Sequence, residues 1–229
     1  SADPPQALDW NAPWSDRSYE PAFDYDGDGC YPTPAIGRDG TIAPGLNPGG
    51  ALNGHCHDMS DLDNVNVYSR SKCDNGWCAY MYAVYFEKDQ AVVGSGLGGH
   101  KNDWEHVVVW VPDGGWPTYV SASAHGNYHT YGRDDVPWDD TGTHPKIIYH
   151  KDGIGTHCFR IAGFGEQPEN LKGWWQFPPL VGWDGYPPGF RDKLMAADFG
   201  AAQLGIRDSW FPGELTKAKP ANIPFNPNA

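Results

Sequence analysis

The chain has 229 residues, with 29 Asp and Glu against 16 Lys and Arg and a formal net charge of −13 at pH 7. That balance excludes nucleic-acid binding as a main activity, because affinity for a phosphate backbone is supplied by Lys and Arg, and it disfavours non-specific attraction to anionic lipid. A hydrophobic content of 39% with 29 Gly, 21 Pro and 11 Trp points to one turn-rich, mainly β domain over 1–229, and no run of about 18 apolar residues is present to span a membrane.

The chain opens SADPPQ, without Met, which reads as the end left by signal-peptide removal and sets an extracellular, secreted protein as the expectation. Residues 1–60 are rich in Pro, Gly and Asp and are expected to wrap the surface as loops. Within them DYDGDG (24–29) has the DxDxDG spacing of a calcium loop, whose glycines permit a turn that lets Asp24, Asp26 and Asp28 face one Ca²⁺. Ala35 stands where such a loop has its twelfth-position Glu, and a plain acidic turn is the alternative.

CDNGWC (73–78) brackets Asn75-Gly76, the strongest two-residue hairpin signal. If that pair is the loop, Cys73 and Cys78 fall opposite each other at the closer, non-hydrogen-bonded position, and a disulfide fits. Cys30 and Cys56 then offer a second bridge, with a zinc site of Cys30, His55, Cys56 and His57 as the alternative, although no CxxC spacing supports it. The alternation of HCFRI expects the odd Cys158 to be a buried thiol in a strand.

Runs rich in β-branched and aromatic residues, bounded by turn residues, predict strands over 65–70, 78–86, 105–111, 118–124, 146–150 and 156–162. Their spacing suggests a mostly antiparallel β-sandwich with long loops. One helix is expected to pack on it over 187–200, with Pro188 in its first turn, Phe190, Leu194 and Ala197 on one face, and Gly200 at its end. The tail over 211–229 has four prolines and is expected to be extended.

The chemistry concentrates in GHKNDWEHVVVW (99–110), where charge abuts an apolar strand. Alternation puts Asp103 and Glu105 on one face and Trp104 on the other. The glycines of GSGLGG (94–99) let the chain bend so that His100 approaches both carboxylates, and Asp89, beyond the preceding strand, is the fourth group in reach. Adjacent carboxylates at the end of an apolar strand resist desolvation unless a cation neutralises them. Oxygen ligands with one imidazole favour Mg²⁺, Mn²⁺ or Ca²⁺ over Zn²⁺. The bland alternative is a set of solvated strand-end charges. His106 faces away from Glu105 and reads as a satisfied core histidine.

AYMYAVYFEKDQAVVGSGLGGHKNDWEHVVVW (79–110) resembles the signature region of the necrosis-inducing protein family, the NLP cytolysins of fungi, oomycetes and some bacteria, whose hallmark is GHRHDWE before an apolar strand. GCYPTPAI (29–36), HDMS (57–60), VYSRS (67–71), SASAHG (121–126), PPLVGWD (178–184) and ADFGAA (197–202) resemble family blocks in the same order. The resemblance implies an actinoporin- and fungal-lectin-like β-sandwich with peripheral helices, a Cys30–Cys56 disulfide, and a divalent cation, Mg²⁺ or Ca²⁺, on Asp89, His100, Asp103 and Glu105. The implied activity is non-enzymatic: binding the sugar headgroup of plant glycosyl inositol phosphorylceramide, with Lys101 and His157 as headgroup contacts, and damaging the host plasma membrane. A monomer is expected, and a family subgroup with extra cysteines carries an additional N-terminal calcium motif.

The chain departs from the family pattern at Lys101 and Asn102, where the family has Arg and His, and in YHKDGIGTHCF (149–159), where Gly153 and Thr156 replace a Trp and an Asp. Three other readings follow: a non-cytolytic relative acting as a binding protein or immunity elicitor, a metal-dependent glycan hydrolase with Glu105 or Asp103 as base, and a lectin that uses some of the tryptophans.

Overall fold

The computed structural model describes residues 3–229. In chain order the elements are α1 Trp14–Ser18, β1 Ala22–Tyr25, β2 Val67–Asp74, β3 Trp77–Asp89, β4 His100–Pro112, β5 Tyr119–Ala124, β6 Asn127–Gly132, β7 Lys146–Lys151, β8 His157–Ile161, β9 Leu180–Val181, α2 Phe190–Ala196 and α3 Phe211–Ala218. Two sheets form, one of six strands in the order β6-β5-β4-β3-β2-β9 and one of three in the order β1-β7-β8. The β1–β7 and β2–β9 pairings are parallel, and the other strand pairings are antiparallel.

The long β3–β4 ladder is buried on both faces. Tyr82, Val84, Phe86, Val107 and Val109 meet Phe23, Ile147, Tyr149 and Phe159 of the smaller sheet. On the opposite face Met81, Tyr85, Trp104, Val108 and Trp110 meet Leu194, Phe199, Phe211 and Leu215. The chain is thus a β-sandwich with peripheral helices laid on the outer face of its larger sheet. Each large apolar side chain fully buried in these layers contributes about 1.5–3 kcal/mol, so truncating Trp110, which is sealed in the second layer, is expected to cost about 3–5 kcal/mol.

Asn75 (φ 46°) and Gly76 (φ 78°) form the β2–β3 turn, and both are left-handed, as a tight hairpin loop demands. Cys73 and Cys78 are opposite each other and bonded. Cys30 and Cys56 are also bonded, which removes both thiolates that a zinc site there would need.

Three expectations are corrected. Residues 211–218 are not extended: Phe211, Leu215 and Ala218 recur at helical spacing and are buried, and Pro212 sits in the first turn, where its missing N–H has no partner to lose. The helix over 187–200 is shorter, because the chain leaves helical geometry at Ala197 and turns Phe199 inward against Tyr85 and Trp104, with ring centroids 5.6 and 5.3 Å away. The loop-rich segment 1–60 also contributes β1, whose four residues are all buried beside β7.

Candidate metal centre

The β3–β4 ladder runs to its end with Asp89 paired to His100 and Phe86 paired to Asp103. Strand alternation turns Trp104 into the helix-side core and leaves Asp103 and Glu105 facing a cavity of about 310 Å³, which Asp89, His100, His125 and His157 also line. The cavity wall is completed by Glu214 and Lys217 of α3, so the segment taken for a tail shapes the site.

Asp89, His100 and Asp103 each present a ligand atom within 4.8 Å of the other two. Glu105 follows directly, its carboxyl in contact with that of Asp103. Asp89, Asp103 and Glu105 are 1%, 4% and 7% exposed. Burial, then the Asp89 charge, pushes the Asp103 carboxyl well above the usual range, and burial, then Asp103, does the same to Glu105. Two buried carboxylates in contact cannot both ionise without a compensating positive charge.

Each of these side chains is fixed by a partner. Tyr149 Oη donates to Asp103 at 2.9 Å, and Ser123 Oγ donates to Glu105 at 2.8 Å. The Asp89 Oδ1 atom accepts from the His157 backbone N–H at 2.7 Å and lies 2.9 Å from its Nδ1. His100 Nδ1 lies 2.6 Å from the Asn102 carbonyl; since a carbonyl only accepts, Nδ1 carries a proton, and in the neutral ring it is Nε2 that holds the lone pair. That lone pair is 4.0 Å from Asp89 Oδ2. Two acceptors facing each other across that gap suit a cation between them, and supporting hydrogen bonds of this kind orient metal ligands generally.

His157 is a correction. It is 2% exposed, and its Nε2 lies 3.0 Å from the Asp28 carbonyl, so both ring nitrogens face acceptors and neither is free for a headgroup. Burial opposes its charged form, but the bond to Asp89 and the charges of Asp89 and Asp28 prevail and raise its pKa. Fully ionised, three carboxylates and the His157 imidazolium sum to −2, the charge that one divalent cation neutralises. Lys101 is exposed and stands outside the cavity lining. Asn102 is left-handed (φ 59°) and turns its side chain away from the cavity to accept from Tyr85 Oη at 2.5 Å. His106 Nε2 accepts from the Gly205 N–H at 2.8 Å, and burial lowers its pKa to about 3; it is a neutral core histidine.

Asp24, Asp26 and Asp28 do not form the expected calcium loop. Asp24 lies in β1, fully buried, and its carboxylate accepts from the Glu169 and Asn170 backbone N–H groups at 3.0 Å and from Asn170 Nδ2 at 2.8 Å. Strand pairing fixes it away from its neighbours, and among the described residues the three do not gather as possible ligands of one ion.

The sequence alone had not singled out Tyr149, Ser123 or the walls from α3. Tyr149 and Ser123 lie on other strands and are brought in only by sheet topology. α3 had a readable signal in its apolar spacing.

These features define a class: a two-sheet β-sandwich that buries a cluster of carboxylates and an imidazole at one end of its central ladder. Residues 15–218 match the necrosis-inducing protein (NPP1) family, and the chain belongs to it. It is 34% identical over 194 residues to NLP effector protein 10 of Phytophthora capsici, covering 83% of this chain and 76% of that one. It is similar to NLPPya solved in complex with mannosamine, at 30% identity and TM-score 0.77, covering 94% and 96% of the two chains. It is also similar to the non-toxic HaNLP3 protein, at 25% identity and TM-score 0.78, covering 96% and 99%. The Phytophthora capsici relative is named as an effector, and no helix among the described residues is long and apolar enough to cross a membrane.

Proposed function

We propose that this necrosis-inducing protein is secreted, acts as a monomer, and binds Mg²⁺ or Ca²⁺ through Asp89, His100, Asp103 and Glu105. Through that cation it grips the sugar headgroup of plant glycosyl inositol phosphorylceramide and damages the host plasma membrane. The observation that carries the reading is the contact between buried Asp103 and Glu105 beneath the free lone pair of His100. A cation held by four protein groups keeps open positions for sugar hydroxyls. The cavity, about 310 Å³, lies at the small end of ligand pockets and suits one sugar unit rather than an extended glycan. NLPPya, which shares the fold, binds mannosamine.

The cavity is flanked by apolar tips: Val93 and Leu97 on the loop between Asp89 and His100, and Ile154 on the turn before His157, are 70%, 75% and 96% exposed. Seated in the headgroup region, they would let an acidic protein engage a membrane without a basic patch. In this reading no covalent step is involved, and Asp89, Asp103 and Glu105 serve the cation rather than acting as a free acid and base. The test is dye release from vesicles containing the plant sphingolipid. Release that is lost with chelator and with Asp103→Ala supports the reading; release indifferent to both overturns it.

A non-lytic binding role is the second reading. Gly153 and Thr156 occupy the turn beside the cavity, and the fold resembles the non-toxic HaNLP3 protein as closely as it does NLPPya. Cation-dependent headgroup binding without dye release would select it.

A further inference from the structure

Beside the same cavity, which His125 lines, lies a second group of donors of different chemistry. His125 in the β5–β6 turn, Asp152 in the β7–β8 turn and Cys158 in β8 each present a ligand atom within 4.8 Å of the other two. His125 Nε2 is 2.9 Å from Asp152 Oδ2. Cys158 Sγ lies 3.5 Å from Nε2 of His150, its partner across the β7–β8 ladder. The β5–β6 turn and the β7–β8 hairpin therefore bring an imidazole, a carboxylate and a thiol together, with the His150 imidazole beside the thiol.

Two further observations set this group apart. Cys158 is 1% exposed and is the free cysteine among the described residues, in a chain whose other four are oxidised. His125 (φ 53°) and Gly126 (φ 78°) form a turn with both residues left-handed, the geometry that the β2–β3 hairpin builds from Asn75-Gly76. Asn and His are both at home at the first such position, and the turn sets the His125 ring beside Asp152.

We propose that His125, Asp152 and Cys158, with His150 at the fourth position, form a second metal site that takes Zn²⁺ rather than Mg²⁺ or Ca²⁺. Thiolate and imidazole donors select late first-row ions, whereas the Asp89 cluster is built from hard oxygens. Tetrahedral zinc with bonds of about 2.0–2.3 Å needs its donors about 3.3–3.8 Å apart, so drawing His125, Asp152 and Cys158, which lie within 4.8 Å of one another, onto an ion asks for movements of about 1 Å in two exposed turns. Without metal, burial holds the thiol protonated, with its pKa pushed up to about 12. Binding forms the sulfur–metal bond and releases that proton to water. The ion would tie the β5–β6 and β7–β8 turns together at the cavity mouth.

Titration with Co²⁺ in buffer saturated with Mg²⁺ tests the site, because only a thiolate ligand gives a sulfur-to-cobalt charge-transfer band in the near ultraviolet. The expected result is a band that saturates at one equivalent, is bleached by Zn²⁺, is lost in Cys158→Ser and persists in Asp103→Ala. His125→Asn, which suits the left-handed turn and so keeps the fold, is expected to weaken Zn²⁺ binding at least about tenfold. Absence of the band in folded protein, or its survival in Cys158→Ser, overturns the proposal.

Discussion

Two acidic regions of this chain, 24–29 and 99–105, look equally suited to a cation in sequence, and the fold treats them in opposite ways. In the first, Asp24 is buried but answered by the chain's own donors, two backbone N–H groups and the Asn170 amide. In the second, Asp103 and Glu105 receive one hydroxyl each, from Tyr149 and Ser123, and otherwise meet each other. A buried carboxylate with a full set of donors is a structural element. Buried carboxylates answered by one another store a demand for positive charge, and that demand makes the second region a site.

The largest expected effect follows from removing the demand. Asp103→Asn with Glu105→Gln keeps the shapes and deletes both charges, so divalent-cation affinity should fall by about 100-fold or more by calorimetric titration. Stability should move the other way. Both carboxyls have folded pKa values raised by burial, so as pH rises above the ordinary carboxylate range the unfolded chain loses protons first and the metal-free fold weakens. Cation at about 100 times its Kd restores about 2.7 kcal/mol. Chelator should therefore lower Tm more at pH 8 than at pH 5, and the double variant should show neither the chelator response nor its pH dependence. A wild-type response equal at both pH values would break the contrast between the regions.

Next in size is Asp24→Asn. Its new NH₂ would face N–H donors that now meet a carboxylate oxygen, and an unsatisfied buried group costs about 1–3 kcal/mol. Thermal unfolding should show that loss, while cation titration of the still-folded variant should match wild type. A loss of cation affinity alongside the loss of stability would mean that the N-terminal segment takes part in ion binding after all.

The contrast explains which parts of the molecule were legible in the sequence. Strands β3 and β4 announce themselves by apolar and aromatic runs, and alternation alone places Asp103 and Glu105 opposite Trp104, so both the sandwich and the facing of these two carboxylates onto the cavity could be read from local pattern. The DxDxDG spacing is equally local and misled, because it cannot show that Asp24 belongs to a strand beside β7. Asp89 is fixed by His157, 68 residues away, and Asp103 by Tyr149, 46 residues away; no window of sequence contains such pairs. The shielding of His157 was hidden for the same reason, since the Asp28 carbonyl that covers its Nε2 lies 129 residues away. α3 is a different case: its apolar spacing is local, but the four prolines of the tail favour extended chain, and only Pro212, in the first turn, is compatible with the helix.

The smallest effect sits inside the first region and sharpens the comparison most. Asp26 is half-buried, its Oδ1 has no hydrogen-bond partner among the described residues, and burial followed by the charge of Glu169 raises its pKa from 3.8 to about 7. A raised carboxylate reverses the usual acid-stability sign. Below about pH 4 it is protonated in both states and has no effect; between there and about pH 7 the unfolded chain has lost the proton and the folded chain keeps it, so stability falls as pH rises. Asp26→Asn should therefore leave Tm unchanged at pH 4 and raise it slightly at pH 8, with the gain growing through that window. This is the response of a single strained charge, and unlike that of the Asp103–Glu105 pair it should be the same with and without chelator. If Ca²⁺ raised the Tm of the Asp103→Asn, Glu105→Gln variant and Asp26→Asn abolished that rise, the N-terminal aspartates would hold an ion of their own and the two regions would be alike.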